Sequence, residues 1–155
     1  MVTKTKRKRV RAREVVPGAV IGIATCKGEF VALVSHSMGV YGHVLRIFEA
    51  PLLREEDVSP IVARGQLRFT CVTMPGLLAR DERCRKLGDV LVPPALQQLP
   101  VFRIPSSRAG RPVTWRFWDG SRNLGFASQL SDEQARYPIG TMLFVDALVR
   151  HIEGD

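Results

Sequence analysis

Apolar, partly β-branched runs separated by turn residues, and one later segment in which apolar and polar residues alternate, predict antiparallel β-strands in the first half of the chain. An apolar, partly β-branched run at 19–24 is followed by a Lys27-Gly28 turn and a second run at 29–36, which together predict a hairpin. Both faces of the second run are apolar, as in a strand that is covered on both sides or that lines a small barrel. A third run at 41–49 completes a predicted meander.

A fourth strand is predicted at 66–74, where a half-buried alternation places Cys71 on the inward face. The preceding stretch, 51–60, is rich in charge and predicts a solvated connection with at most one helical turn. Residues 76–87 (GLLARDERCRKL) have a helical composition, and we expect a short surface helix that carries Cys84.

Prolines interrupt the chain repeatedly between residues 87 and 112, which predicts a loop with short strand pieces such as 101–104. Residues 114–119 (TWRFWD) resemble a strand, and Asp119-Gly120 predicts the turn that closes it.

Two helices are predicted near the end of the chain. Residues 131–134 (SDEQ) have capping-box spacing, and Pro138 limits that helix to about one turn. Apolar residues at 144, 148 and 152 recur at helical spacing, which predicts a C-terminal helix over 141–152 with Thr141 as its N-cap.

These elements predict an α+β, β-rich fold. We expect a small antiparallel, partly open barrel or strongly bent sheet, with one or two peripheral helices that include the C-terminal one. The length of 155 residues suits one core, so we assign residues 15–155 to a single globular domain and residues 1–14 to a disordered basic arm.

The formal net charge of +8 suggests a polyanionic partner until it is counted by segment. Residues 1–14 contain seven of the 23 basic and one of the 15 acidic residues, a net charge of +6. The rest of the chain keeps 16 basic and 14 acidic residues, a net of +2, which is ordinary for a soluble domain. The charge therefore belongs to the first fourteen residues.

Sequence motifs for cofactor, metal or membrane binding are not found. Phosphate-loop, dinucleotide, zinc-protease and nucleophile-elbow patterns are lacking, and no apolar stretch approaches the length of a membrane span. We expect no cofactor, no metal site and no enzymatic activity, and a cytoplasmic location. Cys26, Cys71 and Cys84 lie at wide spacings, which favours thiols over a disulfide framework.

An alternative reading pairs Cys71 or Cys84 with a histidine as an activated nucleophile. Many such pairs arise by chance, and cysteine is among the most buried residue types, so a structural role is favoured.

Both tryptophans of the chain lie within residues 115–118 (WRFW). Strand alternation sends Trp115 and Phe117 to one face and Trp118 to the other. An exposed Trp118 beside Arg103 or Arg116 would be a strong binding anchor, whereas core packing on both faces is the more common arrangement.

Five segments have an order that is similar to a known family: 16–23 (VPGAVIGI), 28–31 (GEFV), 41–48 (YGHVLRIF), 100–103 (PVFR) and 115–120 (WRFWDG). In this order they resemble the immunity protein 26 family of bacterial polymorphic toxin systems, over most of residues 12–125.

The resemblance implies a non-enzymatic protein that binds a cognate toxin domain in the cytoplasm and blocks it. Such a protein needs a surface with a few strong anchors rather than catalytic residues. The side chains that we expect to bind the toxin are Tyr41, Phe102, Arg103, Arg116 and Trp118.

The alternative function is that of a small β-barrel nucleic-acid-binding protein. In that case the basic arm would contact phosphates by counterion release. The contacting residues would be Lys4, Lys6, Arg7, Lys8, Arg9, Arg11 and Arg13. The arm has no aromatic residue for base stacking, and a solubilising role is an equal alternative.

Overall fold

The computed structural model describes residues 8–154 as two antiparallel sheets with helices packed against the larger one. The strands are β1 (Ala19–Thr25), β2 (Gly28–Ser37), β3 (His43–Leu52), β4 (Leu67–Thr73), β5 (Cys84–Asp89), β6 (Phe102–Ser106), β7 (Thr114–Trp118) and β8 (Asn123–Ala127). The α-helices are α1 (Val58–Arg64), α2 (Pro75–Arg80), α3 (Asp132–Ala135) and α4 (Val145–Glu153).

The main sheet has the strand order β4-β3-β2-β1-β5, and the small sheet has the order β6-β7-β8. The main sheet is not closed into a barrel, because β4 and β5 lie at opposite edges. The predicted α+β, β-rich fold with a C-terminal helix is confirmed, in the form of an open sheet with register shifts in three of its pairings.

Both faces of the main sheet are covered, which explains why the second strand is apolar on both sides. Residues 31–34 of β2 are fully buried. One face packs against α2 and α4 through Leu78, Leu148 and Ile152. The other face packs against α1 and the 87–96 loop. The predicted meander of the first three strands is confirmed.

The segment after α2 differs from the prediction. The helix ends at Arg80, and Cys84 lies on β5 opposite Ile23 of β1, fully buried. The predicted surface helix carrying Cys84 is therefore wrong. Helical composition yields here to pairing with the edge of β1, which buries a cysteine that a surface helix would expose.

Three smaller differences involve elements that are short or lie at boundaries. The charged connection leads into α1, which begins at Val58 and in which Ile61 and Val62 are buried. The C-terminal helix begins at Val145, with Phe144 rather than Thr141 as its N-cap. Strand β8 was not predicted. The capping box at Ser131 is present as predicted.

Part of the expected basic arm lies against the domain. Val10 is only 2% exposed and belongs to the core beneath the main sheet, and residues 12–14 form a short 3-10 helix. Arg9 forms an isolated antiparallel bridge with Arg85 of β5. Residues 1–7 of the expected arm lie outside the described residues.

Residues 138–143, which we call the connecting segment, join the two sheets. On the small-sheet side, the Gly140 amide donates to the Arg103 carbonyl at 3.0 Å, and the Arg103 amide donates to the Pro138 carbonyl at 2.9 Å. On the main-sheet side, the Leu143 amide donates to the Val72 carbonyl at 2.8 Å. The segment thus fixes the position of β6 relative to the end of β4.

Candidate partner-binding surface

The exposed Tyr41 and the half-buried Trp118 form an aromatic pair above a buried side chain. Their ring centroids lie 5.2 Å apart in an edge-on arrangement, and Tyr41 is 62% exposed. Phe102 is fully buried, 6.1 Å from the Trp118 ring. Phe102 therefore supports Trp118 from below and is not itself available to a partner.

The alternation of β7 divides the predicted site residues between two faces. Arg116 and Trp118 lie on the face that contacts Tyr41, whereas Phe117 is buried on the reverse face against Tyr137. Arg103 pairs in register with Phe117 and lies on that reverse face as well. The structure thus brings together Tyr41, Arg116 and Trp118, and it separates Arg103 from them.

The Tyr41–Trp118 pair borders a cavity of about 350 Å³ between the two sheets. We call the surface around it the aromatic face, which consists of Val40, Tyr41, Ile104, Arg116, Trp118, Gly140 and Met142. Phe126 of β8 lies opposite Arg116 in register and is 68% exposed. The sequence prediction missed Val40 and Met142, since neither belongs to a regular alternating segment.

A tight turn presents Val40 and Tyr41 to solvent. Gly39 and Gly42 have positive φ angles of 60° and 95°, and residues 39–41 form one 3-10 turn between them. The Met38 amide donates to the Gly42 carbonyl at 2.8 Å and closes this turn. The conformation leaves Val40 83% exposed beside Tyr41.

The charge on the aromatic face comes from Arg116, which has no ion-pair partner among residues 8–154. The turn after Trp118 is held by Asp119, whose carboxylate accepts amide hydrogen bonds from Arg122 at 2.7 Å and Ser121 at 2.9 Å. These bonds lower the pKa of Asp119 to about 2. The Asp119 carboxylate is therefore charged near neutral pH, and its hydrogen bonds are made within the turn. The aromatic face therefore presents an apolar surface with one uncompensated cation.

The buried cysteines are poor nucleophiles in this structure. Burial raises the pKa of the Cys71 thiol to about 12 and that of Cys84 to about 12, so both stay protonated near neutral pH. His36 is held by Ser35 and the Gln97 carbonyl, and burial lowers the pKa of His43. These environments favour structural roles for Cys71 and Cys84, whereas an activated thiol needs a lowered pKa.

The described part of the basic segment is exposed. Lys8, Arg11 and Arg13 are solvent-exposed, and Arg9 lies 3.7 Å from Glu82 in a weak surface ion pair. Lys4, Lys6 and Arg7 lie outside the described residues. Within 8–154 there is no group of three or more histidine, cysteine or acidic residues placed to hold a metal ion.

Comparison of the chain with protein-family models, with curated proteins and with solved structures found no match. The resemblance to the immunity protein 26 family thus remains an expectation that depends on the five segments quoted above. None of the helices in residues 8–154 is long and apolar enough to cross a membrane.

Proposed function

We propose that this chain is a non-catalytic immunity protein that neutralises a cognate toxin domain by binding it through the aromatic face. The observation that carries the proposal is the contact between the exposed Tyr41 and the half-buried Trp118, beside the unpaired Arg116. Tryptophan, tyrosine and arginine are the residues that most often supply the binding energy of protein interfaces. Phe102 packs against Trp118. Because its side chain is already held in place, Trp118 loses little conformational entropy on binding.

The choice of a toxin domain as partner comes from the position of the resembling segments. Segments 41–48, 100–103 and 115–120 carry the resemblance, and the same segments supply Tyr41, Phe102, Arg116 and Trp118. Three of the seven residues of the aromatic face, Tyr41, Arg116 and Trp118, therefore lie in segments that carry the resemblance. The partner surface should offer an apolar cleft for Trp118 and an acidic side chain for Arg116.

The test is binding of an inactive form of the toxin domain encoded beside this protein's gene. Trp118→Ala and Tyr41→Ala should each weaken binding by about 2 kcal/mol, on the order of thirtyfold. Phe144→Ala is the matched control for Tyr41→Ala, because Phe144, at the N-cap of α4, is an aromatic side chain of similar exposure, 63%. Calorimetric titration measures the affinities, and thermal melts verify folding.

Unchanged affinity of both folded variants would show that the aromatic face is not the binding surface. Failure of the wild-type chain to bind the neighbouring toxin domain would contradict the toxin assignment itself. Expression of the toxin in cells provides a second readout, since Trp118→Ala should protect less well than Phe144→Ala.

The alternative, nucleic-acid binding, has one observation in its favour: Lys8, Arg11 and Arg13 are exposed and have no ion pair within residues 8–154. This function predicts tight binding to oligonucleotides with a steep negative dependence of log affinity on log salt concentration. Substitution of these three residues by glutamine would flatten that dependence. A chain that neutralises a toxin through the aromatic face would be unaffected by the same substitutions.

A further inference from the structure

A second cavity, of about 460 Å³, lies between the small sheet and the β4 edge of the main sheet. Four arginines line it: Arg46 of β3, Arg68 of β4, Arg103 of β6 and Arg136 after α3. We call this cavity the arginine cleft. Its lining also includes His151 and contains no aspartate or glutamate.

The four arginines of the cleft are not ion-paired. None of them has a carboxylate within 4.0 Å among residues 8–154. The half-buried Arg103 differs in this from the other half-buried arginines of residues 8–154: Arg85 donates to Glu29 and Arg83 donates to Asp81, each through two hydrogen bonds. The cleft therefore concentrates positive charge that the protein does not compensate.

Arg46 is the most buried of the four arginines, with only 6% of its surface exposed. Its guanidinium donates to three neutral acceptors: Ser35 Oγ at 3.1 Å, Thr70 Oγ1 at 3.3 Å and the Gln98 carbonyl at 2.9 Å. A guanidinium has five N–H donors, so Nη1 and Nη2 each retain one more. A buried charge without a counterion is costly, and an anion in the cleft would offset that cost.

Arg103 is fixed in position on the cleft wall. Its Nε donates to the Tyr137 carbonyl at 2.8 Å, and its guanidinium carbon lies 4.7 Å from the centre of the Trp115 ring. Stacking on an aromatic ring holds the planar guanidinium in one orientation while its terminal N–H groups remain available. Arg46 and Arg103 thus provide preorganised donors, and Arg68 and Arg136 add exposed charges at the rim.

The remaining lining is apolar or aromatic. Phe69 and His151 are in edge-on ring contact at 5.7 Å, and Tyr137, Leu143 and Pro100 complete this part of the wall. A volume of about 460 Å³ is within the range of small-molecule sites. The cleft combines a charged region with an apolar one, which suits a ligand that has both parts.

We propose that the arginine cleft binds a small organic anion in which phosphate groups are joined to an aromatic body, as in a nucleoside diphosphate. Four guanidinium groups match the several charges of a diphosphate better than the single charge of a carboxylate, and arginine binds phosphate oxygens in a bidentate manner. Phe69, Tyr137 and Leu143 contact the aromatic part. This site is separate from the aromatic face and does not depend on the proposed function.

The test is calorimetric titration of the full chain with ADP, pyrophosphate and adenosine at physiological ionic strength. ADP should bind in the micromolar range, pyrophosphate at least about tenfold more weakly, and adenosine without measurable heat. Arg68→Gln and Arg136→Gln should each weaken ADP binding about tenfold without loss of folding, because both side chains are exposed. Arg46→Lys should weaken ADP binding by more than either glutamine substitution does, since lysine lacks the bidentate donors of arginine.

Arg64→Gln is the matched control, because Arg64 on α1 is exposed, has no ion pair within residues 8–154 and does not line the cleft. Loss of ADP affinity in Arg64→Gln equal to that in Arg136→Gln would indicate general charge attraction and would overturn the proposal. The absence of ADP and pyrophosphate binding at millimolar concentration would do the same. If a single-stranded oligonucleotide bound more tightly than ADP, and if Arg136→Gln weakened that binding, the ligand of the cleft would be nucleic acid, and the proposal of a small anion would be wrong.

Discussion

At the scale of single residues, the two glycines that flank the Val40–Tyr41 turn have different physical reasons to be glycine. At Gly42, with φ at +95°, an added Cβ would lie 2.7 Å from the Thr73 carbonyl oxygen. At Gly39, with φ at +60°, an added Cβ would meet nothing within 4 Å. Gly39 is thus required for backbone conformation alone, whereas Gly42 is required for conformation and for close contact with β4.

We therefore expect Gly42→Ala to destabilise the protein more than Gly39→Ala. The left-handed conformation should cost about 1–2 kcal/mol at Gly39, and the steric conflict at Gly42 should add about 1–3 kcal/mol. Denaturation with urea measures both free energies of unfolding. Equal losses in the two variants would show that the turn moves away from β4 at little cost.

Residue-level prediction worked where alternation decides the outcome and failed where tertiary contacts decide it. Strand alternation predicts Trp118 on one face of β7 and Trp115 and Phe117 on the other, and the structure confirms this arrangement. It did not separate Arg103 from Trp118, because the relative faces of β6 and β7 depend on their register. The register pairs Phe102 with Trp118, a contact that no local pattern encodes.

At the scale of elements, helix α4 shows which of the apolar residues spaced four apart at 144, 148 and 152 are buried in the core. Leu148 and Ile152 are fully buried against the main sheet, whereas Phe144 lies at the N-cap and is 63% exposed. The same spacing of four residues thus has two different outcomes, because the helix begins only after Phe144.

Leu148→Ala should lower the free energy of unfolding by about 2–5 kcal/mol, because it leaves a cavity beneath the main sheet. Phe144→Ala should lower it by less than about 1 kcal/mol, as for an exposed side chain. Chemical denaturation of the two variants gives the comparison. A large loss for Phe144→Ala would mean that the first turn of α4 packs more closely than its exposure indicates.

The elements predicted correctly share a strong local pattern, and those predicted incorrectly do not. The first three strands are long, mostly apolar runs bounded by turn residues, and they form the centre of the main sheet. Residues 84–87 instead belong to a segment of helical composition, and they form part of β5 because the edge of β1 is available to them. Strand β8 is short and contains a glycine, so its pairing with β7 leaves little trace in the sequence.

At the scale of the whole molecule, residues 8–14 contribute both to the excess positive charge and to the stability of the domain. Val10 is buried in the core, although exposed basic residues lie on both sides of it. Deletion of residues 1–14 removes this side chain and should cost about 1.5–3 kcal/mol of stability. The deletion therefore cannot be used alone to test a role for the charge.

Substitution of Lys8, Arg11 and Arg13 by glutamine separates the two effects, because it removes exposed charge and leaves Val10 in place. We expect this variant to melt near the wild-type temperature, unlike the deletion. A thermal melt of each protein makes the comparison, and equal destabilisation of the two would show that the basic side chains themselves stabilise the fold.

The connecting segment has a thermodynamic consequence for the two surfaces. Its extended backbone contributes Gly140 and Met142 to the aromatic face, and Pro138, Ile139 and Leu143 to the arginine cleft. A ligand that displaced this segment from one side would change the affinity of the other side. Because such linkage is reciprocal, a toxin domain that tightened the cleft around an anion would itself be bound more tightly, by the same factor, when that anion is present.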